Sequence, residues 1–341
     1  MIKNEKVGVL LINTGSAAST SVSDVRDYLG QFLMDARIID IPTWKRWLLV
    51  HGIILRTRPK ITAEAYKAIW TERGSPLIVF SEDLRDALRI AMPQVDFEIG
   101  MAYGTHSIEE GMDALLAKNP DRILLAPMFP QYASATTGAV LGRAYAYATT
   151  KWNVPSVSVI PPYYDDDGFL DAWQVIARPV LDDFKPDHVL LSYHGLPIRQ
   201  IHKADPSGNH CLRSDGCCDG ELPANKNCYR RQCMATGRAL VERLGLQEGQ
   251  YSFTFQSRLG RIPWLDPATD ATIEKLAKEG VKRLAILSPA FTADCLETLE
   301  EIGMAGKEIF EAHGGEAFTL VPSLNAHPKW VDAFARLVKK Y

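Results

Sequence analysis

Short apolar runs alternate along this chain with longer stretches of helical period. The runs "VGVLLIN" (7–13), "PLIVF" (76–80), "DFEIGMAY" (96–103) and "RILLAPMF" (122–129) read as buried strands in the first half. In the second half the candidates are "SVSVIPPY" (156–163), "HVLLSYH" (188–194), "YSFTFQS" (251–257), "RLAILSP" (283–289) and "AFTLVPS" (317–323). Between them lie helix-like segments such as "SIEEGMDALLAKN", "DAWQVIARPVLDDF" and "ATIEKLAKEG". Apolar strands separated by helices predict parallel sheets covered on both faces, an α/β fold.

The two halves echo each other. "VLLINTG" pairs with "VLLSYHG", "FEIGMAYG" with "FTFQSRLG", and "DRILLAPMFPQYA" with "KRLAILSPAFTAD". The order is the same in both halves, at offsets of roughly 155 to 180 residues, as in a duplicated domain. Two doubly wound domains would enclose a cleft, with ligands outside the carboxyl ends of the strands. Those ends carry Asn13, Gly15, Tyr103, "PMFPQYASATTG", "SYHGLP", "SRLGRIPW" and "SPAFTADCLETLEE".

Composition narrows the function. A formal net charge of −3 gives no general reason to expect a nucleic-acid partner. There is no G-x-G-x-x-G and no Walker sequence, which disfavours a nucleotide cofactor. The apolar run at 7–13 is too short for a signal peptide core and suits a first strand, so a cytoplasmic location is expected. A second apolar stretch, 43–60, has a core about half the ~20 residues that span a bilayer. It carries Trp44 and Trp47, with Lys45, Arg46, Arg56, Arg58 and Lys60 around it. Either it is a buried helix with basic ends, or it lies against an anionic lipid surface.

Few residues carry chemistry. His194 ends an apolar strand and enters Gly195-Leu196-Pro197, either closing the turn or facing the cleft. Glu297 stands three residues after Asp294, a spacing that fits a capping box or a carboxylate at the site. Glu301 follows four residues later on the same helical face. Trp264 is either core or a flat wall for a flat ligand. The acidic run "YYDDDGF" lacks calcium-loop spacing and reads as a loop and helix N-cap. Five of the six cysteines, Cys211, Cys217, Cys218, Cys228 and Cys233, fall within one short stretch. In a reducing compartment such a cluster more often binds metal than forms disulfides. Its C-x5-C-C-x9-C-x4-C spacing matches neither a zinc ribbon nor the common ferredoxin pattern.

In order along nearly the whole chain, "INTG", "FLMDARIIDIP", "RGSPLIVFSE", "MAYGTHS", "PMFPQYASATTGA", "LSYHGLP", "FQSRLGRIPWLDP", "SPAFTADCLETLEEI" and "PSLNAHP" resemble the ferrochelatase family. That resemblance implies insertion of ferrous iron into protoporphyrin IX, the terminal step of haem biosynthesis, with no nucleotide. It implies two similar Rossmann-like domains, each a four-stranded parallel sheet, with a porphyrin cleft between them. The first would span 1–155, with an active-site lip at 43–60, joined by a C-terminal helix at 326–341. The second would span 156–325, with the cysteine-rich loop at 204–233. By position, His194 would be the essential histidine, Glu297 the essential glutamate and Glu301 the second acidic residue. His194 and Glu297 are the expected ligands of substrate iron. Trp264, Tyr103, Arg37, Asn13, Leu11 and Phe291 match porphyrin-binding positions.

The resemblance also implies a peripheral membrane contact through 43–60, at the inner face of the membrane. It implies a [2Fe–2S] cluster on four of the five loop cysteines: Cys211, one of Cys217 and Cys218, Cys228 and Cys233. Adjacent Cys217 and Cys218 are expected to point apart, so that one of them ligates. Where some members have a histidine two residues before the essential glutamate, this chain has Cys295.

Overall fold

A computed structural model describes residues 5–258, 260 and 262–341. The chain divides into two compact units. One comprises 1–129, 134–161 and 325–341; the other comprises 130–133 and 162–324.

The first unit is built on β1 (Val7–Ser16), β2 (Asp96–Gly104), β3 (Arg122–Pro127) and β4 (Val157–Val159), all parallel, in the order β2-β1-β3-β4. The second repeats this with β5 (His188–His194), β6 (Tyr251–Gln256), β7 (Arg283–Leu287) and β8 (Ala317–Leu320), in the order β6-β5-β7-β8. The echoed segments therefore occupy equivalent strands: "VLLINTG" and "VLLSYHG" lie on the two central strands β1 and β5. Both are buried almost throughout, as expected where helices cover both faces.

The segment "PLIVF" is not a strand. It opens the helix Pro76–Ala91, with Pro76 in its first turn and Leu77, Ile78, Leu84 and Leu88 buried. Proline at the start of a helix loses no bond, and the 3.6-residue period of the following "SEDLRDALRIA" continues from the apolar run. "SVSVIPPY" keeps only three strand residues, because its prolines stop the ladder. The acidic run at 163–169 behaves as expected: Asp166 caps the helix Asp167–Phe184, accepting from the N–H groups of Gly168 and Phe169.

Three helical segments are wound as π-helix: Val50–Ile54, Ser134–Gly138 and Glu297–Gly306. Such windings are rare and concentrate at functional sites. Gly15 closes the end of β1 with φ +106°, and a β-carbon there would lie 1.9 Å from the Tyr103 carbonyl oxygen. Only glycine permits this approach, which explains the glycine of "NTG".

Candidate active site

In the second unit, His194 is the last residue of β5. Its Nδ1 lies 2.7 Å from the Gly195 carbonyl oxygen. A carbonyl can only accept, so Nδ1 carries the proton and Nε2 of the neutral ring is left as an acceptor. Gly195 donates its N–H to the Gln256 carbonyl at 2.7 Å, and a β-carbon on it would sit 2.7 Å from that same oxygen. That position would also be 3.4 Å from the Trp264 ring, so the glycine lets the indole lie against the turn. Trp264 pairs with Pro197 in an isolated antiparallel bridge. Leu259 and Arg261, in the same motif, lie outside the described residues.

After β7 the chain passes Phe291, whose ring centroid is 6.4 Å from that of His194. The capping box expected at Asp294–Glu297 does not form. The Asp294 carboxylate accepts instead from the Thr298 hydroxyl at 3.1 Å and from the Ser323 N–H. Glu297 is thereby left out of any cap. It begins the π-helix, with buried Cys295 two residues before it. Burial, first, and then the Glu297 charge push the Cys295 thiol well above its ordinary range. Cys295 therefore stays a neutral thiol, where a histidine would bring a titrating group.

Glu301 lies four residues further along a winding of about 4.4 residues per turn, so it stays on nearly the same face as Glu297. Its carboxylate accepts from the Ser257 N–H at 2.8 Å and from the Ser257 Oγ at 2.5 Å. Ser257 adopts φ +65°, a left-handed conformation that aims both donors at one side chain. Burial raises the Glu301 carboxyl above the usual range. The Ser257 hydrogen bonds hold it down in part, as would His194 when protonated, and the Glu297 charge adds to the rise. His194, Glu297 and Glu301 thus share one electrostatic neighbourhood. Beneath them runs a buried polar frame. Gln256 donates to the Glu297 carbonyl at 2.8 Å and accepts from Ser192, which in turn bonds Thr269.

Tyr103, Arg37, Asn13 and Leu11 belong to the first unit. Tyr103 ends β2 and donates its hydroxyl to Asp35 at 2.9 Å, while burial and that carboxylate hold the phenol protonated. Arg37, exposed, donates to Ser134 in the π-helix at 2.8 Å. The Asn13 side chain accepts from the Thr14 N–H. Leu11 is 2% exposed and paired on both sides within the sheet, so it packs the core beneath the strand ends.

Residues 43–60 form the helix Thr43–Leu49, the π-turn Val50–Ile54 and the start of the helix Leu55–Ile69. The segment is not buried as a whole. Val50, Ile54 and Leu55 join a small core with Leu33 and Ile39, whereas Trp44, Trp47, Leu48 and Ile53 are each more than half exposed. Arg46 is buried and donates to the carbonyls of Ile39 and Ile41, so it is not part of the basic rim. Among the described residues no helix is long and apolar enough to cross a membrane.

All five loop cysteines are buried and none forms a disulfide. The sulfurs of Cys217 and Cys218 do not point apart; they stand 3.8 Å from each other. The Sγ of Cys211 lies 3.9 Å from the Ala224 carbonyl, and burial pushes the Cys211, Cys217 and Cys233 thiols above their ordinary range. The loop is pinned from inside. The Asp205 carboxylate accepts from the N–H groups of Ser207, His210 and Cys211. The Asn225 amide, fully buried, donates to the carbonyls of Cys217 and Gly220. Sequence reasoning missed Asp205, Asn225 and Ser257, because nothing in their spacing separates them from ordinary turn residues. Among the described residues no three His, Cys, Asp or Glu side chains are arranged to hold a metal ion as they stand. The donor set is nevertheless the soft one that iron–sulfur clusters and zinc take, on a backbone fixed by buried polar groups.

A sequence profile of ferrochelatase matches residues 6–341. A ferrochelatase of Pseudomonas fluorescens strain Pf0-1 is 47% identical over 334 residues, 97% of each chain. One from Ectopseudomonas mendocina is 46% identical over 333 residues, again 97% of each. Among solved structures, SirB from Bacillus subtilis with Fe3+ superposes with a TM-score of 0.56 at 13% identity, covering 98% of this chain and 95% of that one. That similarity concerns the fold, and it agrees with the duplicated four-stranded architecture. Sequence similarity extending through both units, including the strand ends that carry His194, Glu297 and Glu301, shows that this chain belongs to the ferrochelatase family.

Proposed function

We propose that this chain inserts ferrous iron into protoporphyrin IX, forming protohaem, with His194, Glu297 and Glu301 as the working groups. The observation that carries the assignment of roles is the His194 ring, held by its Nδ1–H on the Gly195 carbonyl so that the neutral form offers Nε2 as an acceptor, beside a carboxyl group raised by burial. Metallation releases two pyrrole protons for each iron bound and transfers no electrons. Nε2 of His194 accepts the first proton, or binds the iron while a neighbour accepts it, since neutral imidazole suits both tasks. Glu301, whose affinity for protons burial has increased, takes up a proton and passes it along the π-helix face. Glu297, free of any cap, is placed to ligate the incoming iron. Trp264 and Phe291 flank the histidine and offer aromatic surface to a flat macrocycle. Tyr103, Arg37 and Asn13 are further porphyrin-binding candidates.

The test is an anaerobic mixture of the purified chain, protoporphyrin IX and Fe2+. The porphyrin absorption should give way to that of haem at a rate proportional to protein. A chain that binds porphyrin and leaves it unmetallated would be a carrier instead.

The loop at 204–233 would hold a [2Fe–2S] cluster through Cys211, one of Cys217 and Cys218, Cys228 and Cys233, all of them buried. Such a cluster supplies one-electron chemistry when bound, which iron insertion does not use, so its role here is to hold the loop or to sense. In the metal-free chain, burial raises the thiols of Cys211 and Cys217. For Cys218 the bond with Cys228 comes first and burial second. Metal loading must therefore displace protons, and it should weaken as pH falls.

The lip at 43–60 would dock on an anionic lipid surface at the cytoplasmic face of the membrane. Trp44, Trp47, Leu48 and Ile53 would enter the headgroup region, with exposed Lys45, Arg56, Arg58 and Lys60 around them. No acidic residue occurs between Asp40 and Glu64. At about 1 kcal/mol per cation near an anionic surface, four cations and two indoles suffice for reversible attachment. The chain should sediment with vesicles containing phosphatidylglycerol and much less with neutral ones. Trp44→Ser with Trp47→Ser should lower the fraction that sediments, and a double variant that sediments as the parent does would remove this role.

A further inference from the structure

Three arginines near the thiol loop sit on the helix Tyr229–Leu244, and they are partnered differently. Arg231 reaches the Glu221 carboxylate at 3.0 Å and the Tyr164 hydroxyl at 2.7 Å. Arg238 reaches the Asp219 carboxylate at 3.0 Å and the Cys218 carbonyl at 2.8 Å. Arg230 reaches sulfur. Its Nη1 stands 3.1 Å from the Sγ of Cys218 and 3.9 Å from that of Cys217. Among the described residues it has no carboxylate partner.

A guanidinium is always charged, and a neutral thiol is a weak acceptor. A half-buried cation aimed at two sulfurs is therefore poorly matched to neutral thiols. The match becomes good when the sulfurs carry negative charge, as thiolates do on a metal. We propose that Arg230 is the charge partner of a thiolate-bound metal centre in the 204–233 loop, donating to the sulfur of Cys218.

This rests on the metal centre proposed above, and it adds two things. It selects Cys218 over Cys217 as the ligand of the adjacent pair, by the shorter contact. It also assigns Arg230 a positioning and electrostatic role outside the ligand set. Groups of this kind typically govern metal retention and the electronics of the centre. With iron–sulfur, reduction adds one negative charge, and a cation on a ligand sulfur favours the reduced form. With zinc, only retention is affected.

The test uses the full chain purified without oxygen, with iron, sulfide and zinc quantified, and a chelator added. Metal release from Arg230→Gln should be about tenfold faster than from the parent or more, in line with the loss typical of outer partners. Arg230→Lys, which keeps the charge and loses the fork, should fall between. If the centre is iron–sulfur, Arg230→Gln should lower its reduced-to-oxidised ratio at fixed potential, about tenfold for a shift of 59 mV. Release and midpoint unchanged in Arg230→Gln, in a parent that holds metal, would overturn the proposal and leave the centre standing. So would Arg230→Lys behaving as badly as Arg230→Gln, since charge would then not be the cause. A Cys218→Ser variant that keeps its centre would refute the choice of Cys218. A parent holding neither iron with sulfide nor zinc would remove the centre itself, and this inference with it.

Discussion

Replacing His194 by alanine is expected to slow iron insertion by about two to four orders of magnitude, the range ascribed to a positioned acid–base group. Protoporphyrin binding should persist. The imidazole contributes one ring to a surface that Trp264 and Phe291 also build, and the turn that holds it is fixed by the backbone bond from Gly195 to Gln256. Porphyrin affinity measured by fluorescence quenching should therefore change little while turnover collapses. A further check separates proton acceptance from packing: added imidazole should restore part of the rate in the cavity left behind. An alanine variant that still turns over would remove His194 from the mechanism, and one that no longer binds porphyrin would make it a substrate-binding residue.

Glu301→Gln is expected to cost about a hundredfold or more in rate at neutral pH and to stabilise the fold at alkaline pH. The two effects have one cause. Burial raises this carboxyl above its value in the unfolded chain, so the folded state binds the proton more tightly. Where the folded state binds more protons than the unfolded one, stability falls as pH rises. The loss begins near the ordinary glutamate value, grows as pH climbs through the raised one, and is constant above it. Glutamine keeps an acceptor for Ser257 without taking a charge, so the variant should lack this slope. Thermal midpoints of the parent and the variant should converge at low pH and separate as pH rises, with the variant the higher. Coincident curves at all pH values would show that Ser257 fully compensates the burial.

Much of the fold was legible because burial on both faces leaves an unmistakable mark. The runs that became β1, β3, β5 and β7 each have a continuous apolar centre, and their repetition in order revealed the duplication before any topology was known. "PLIVF" failed for the same reason: a short apolar run is equally a strand or the first turn of a buried helix, and only Pro76 and the downstream period distinguish the two. The site divides in a similar way. His194, Glu297 and Trp264 stand at strand ends and could be named. The π-winding over Glu297–Gly306 could not, because a period of 4.4 over so few residues leaves no pattern distinct from 3.6. The donors to Glu301 and the groups that pin the thiol loop are single polar residues, and their meaning comes wholly from what folds against them.

The first unit is assembled from pieces at both ends of the chain. Its helix Pro328–Lys340, with Trp330 and Phe334 fully buried, packs against Pro76–Ala91. During synthesis the ribosome delivers the second unit entire before it delivers that helix. Although domains generally mature from the amino end, here the unit that is begun first is completed only by residues 325–341, which follow the second unit. A chain truncated after residue 324 should therefore keep 162–324 resistant to protease while 5–129 becomes open to attack, because the helix that closes the first unit is missing.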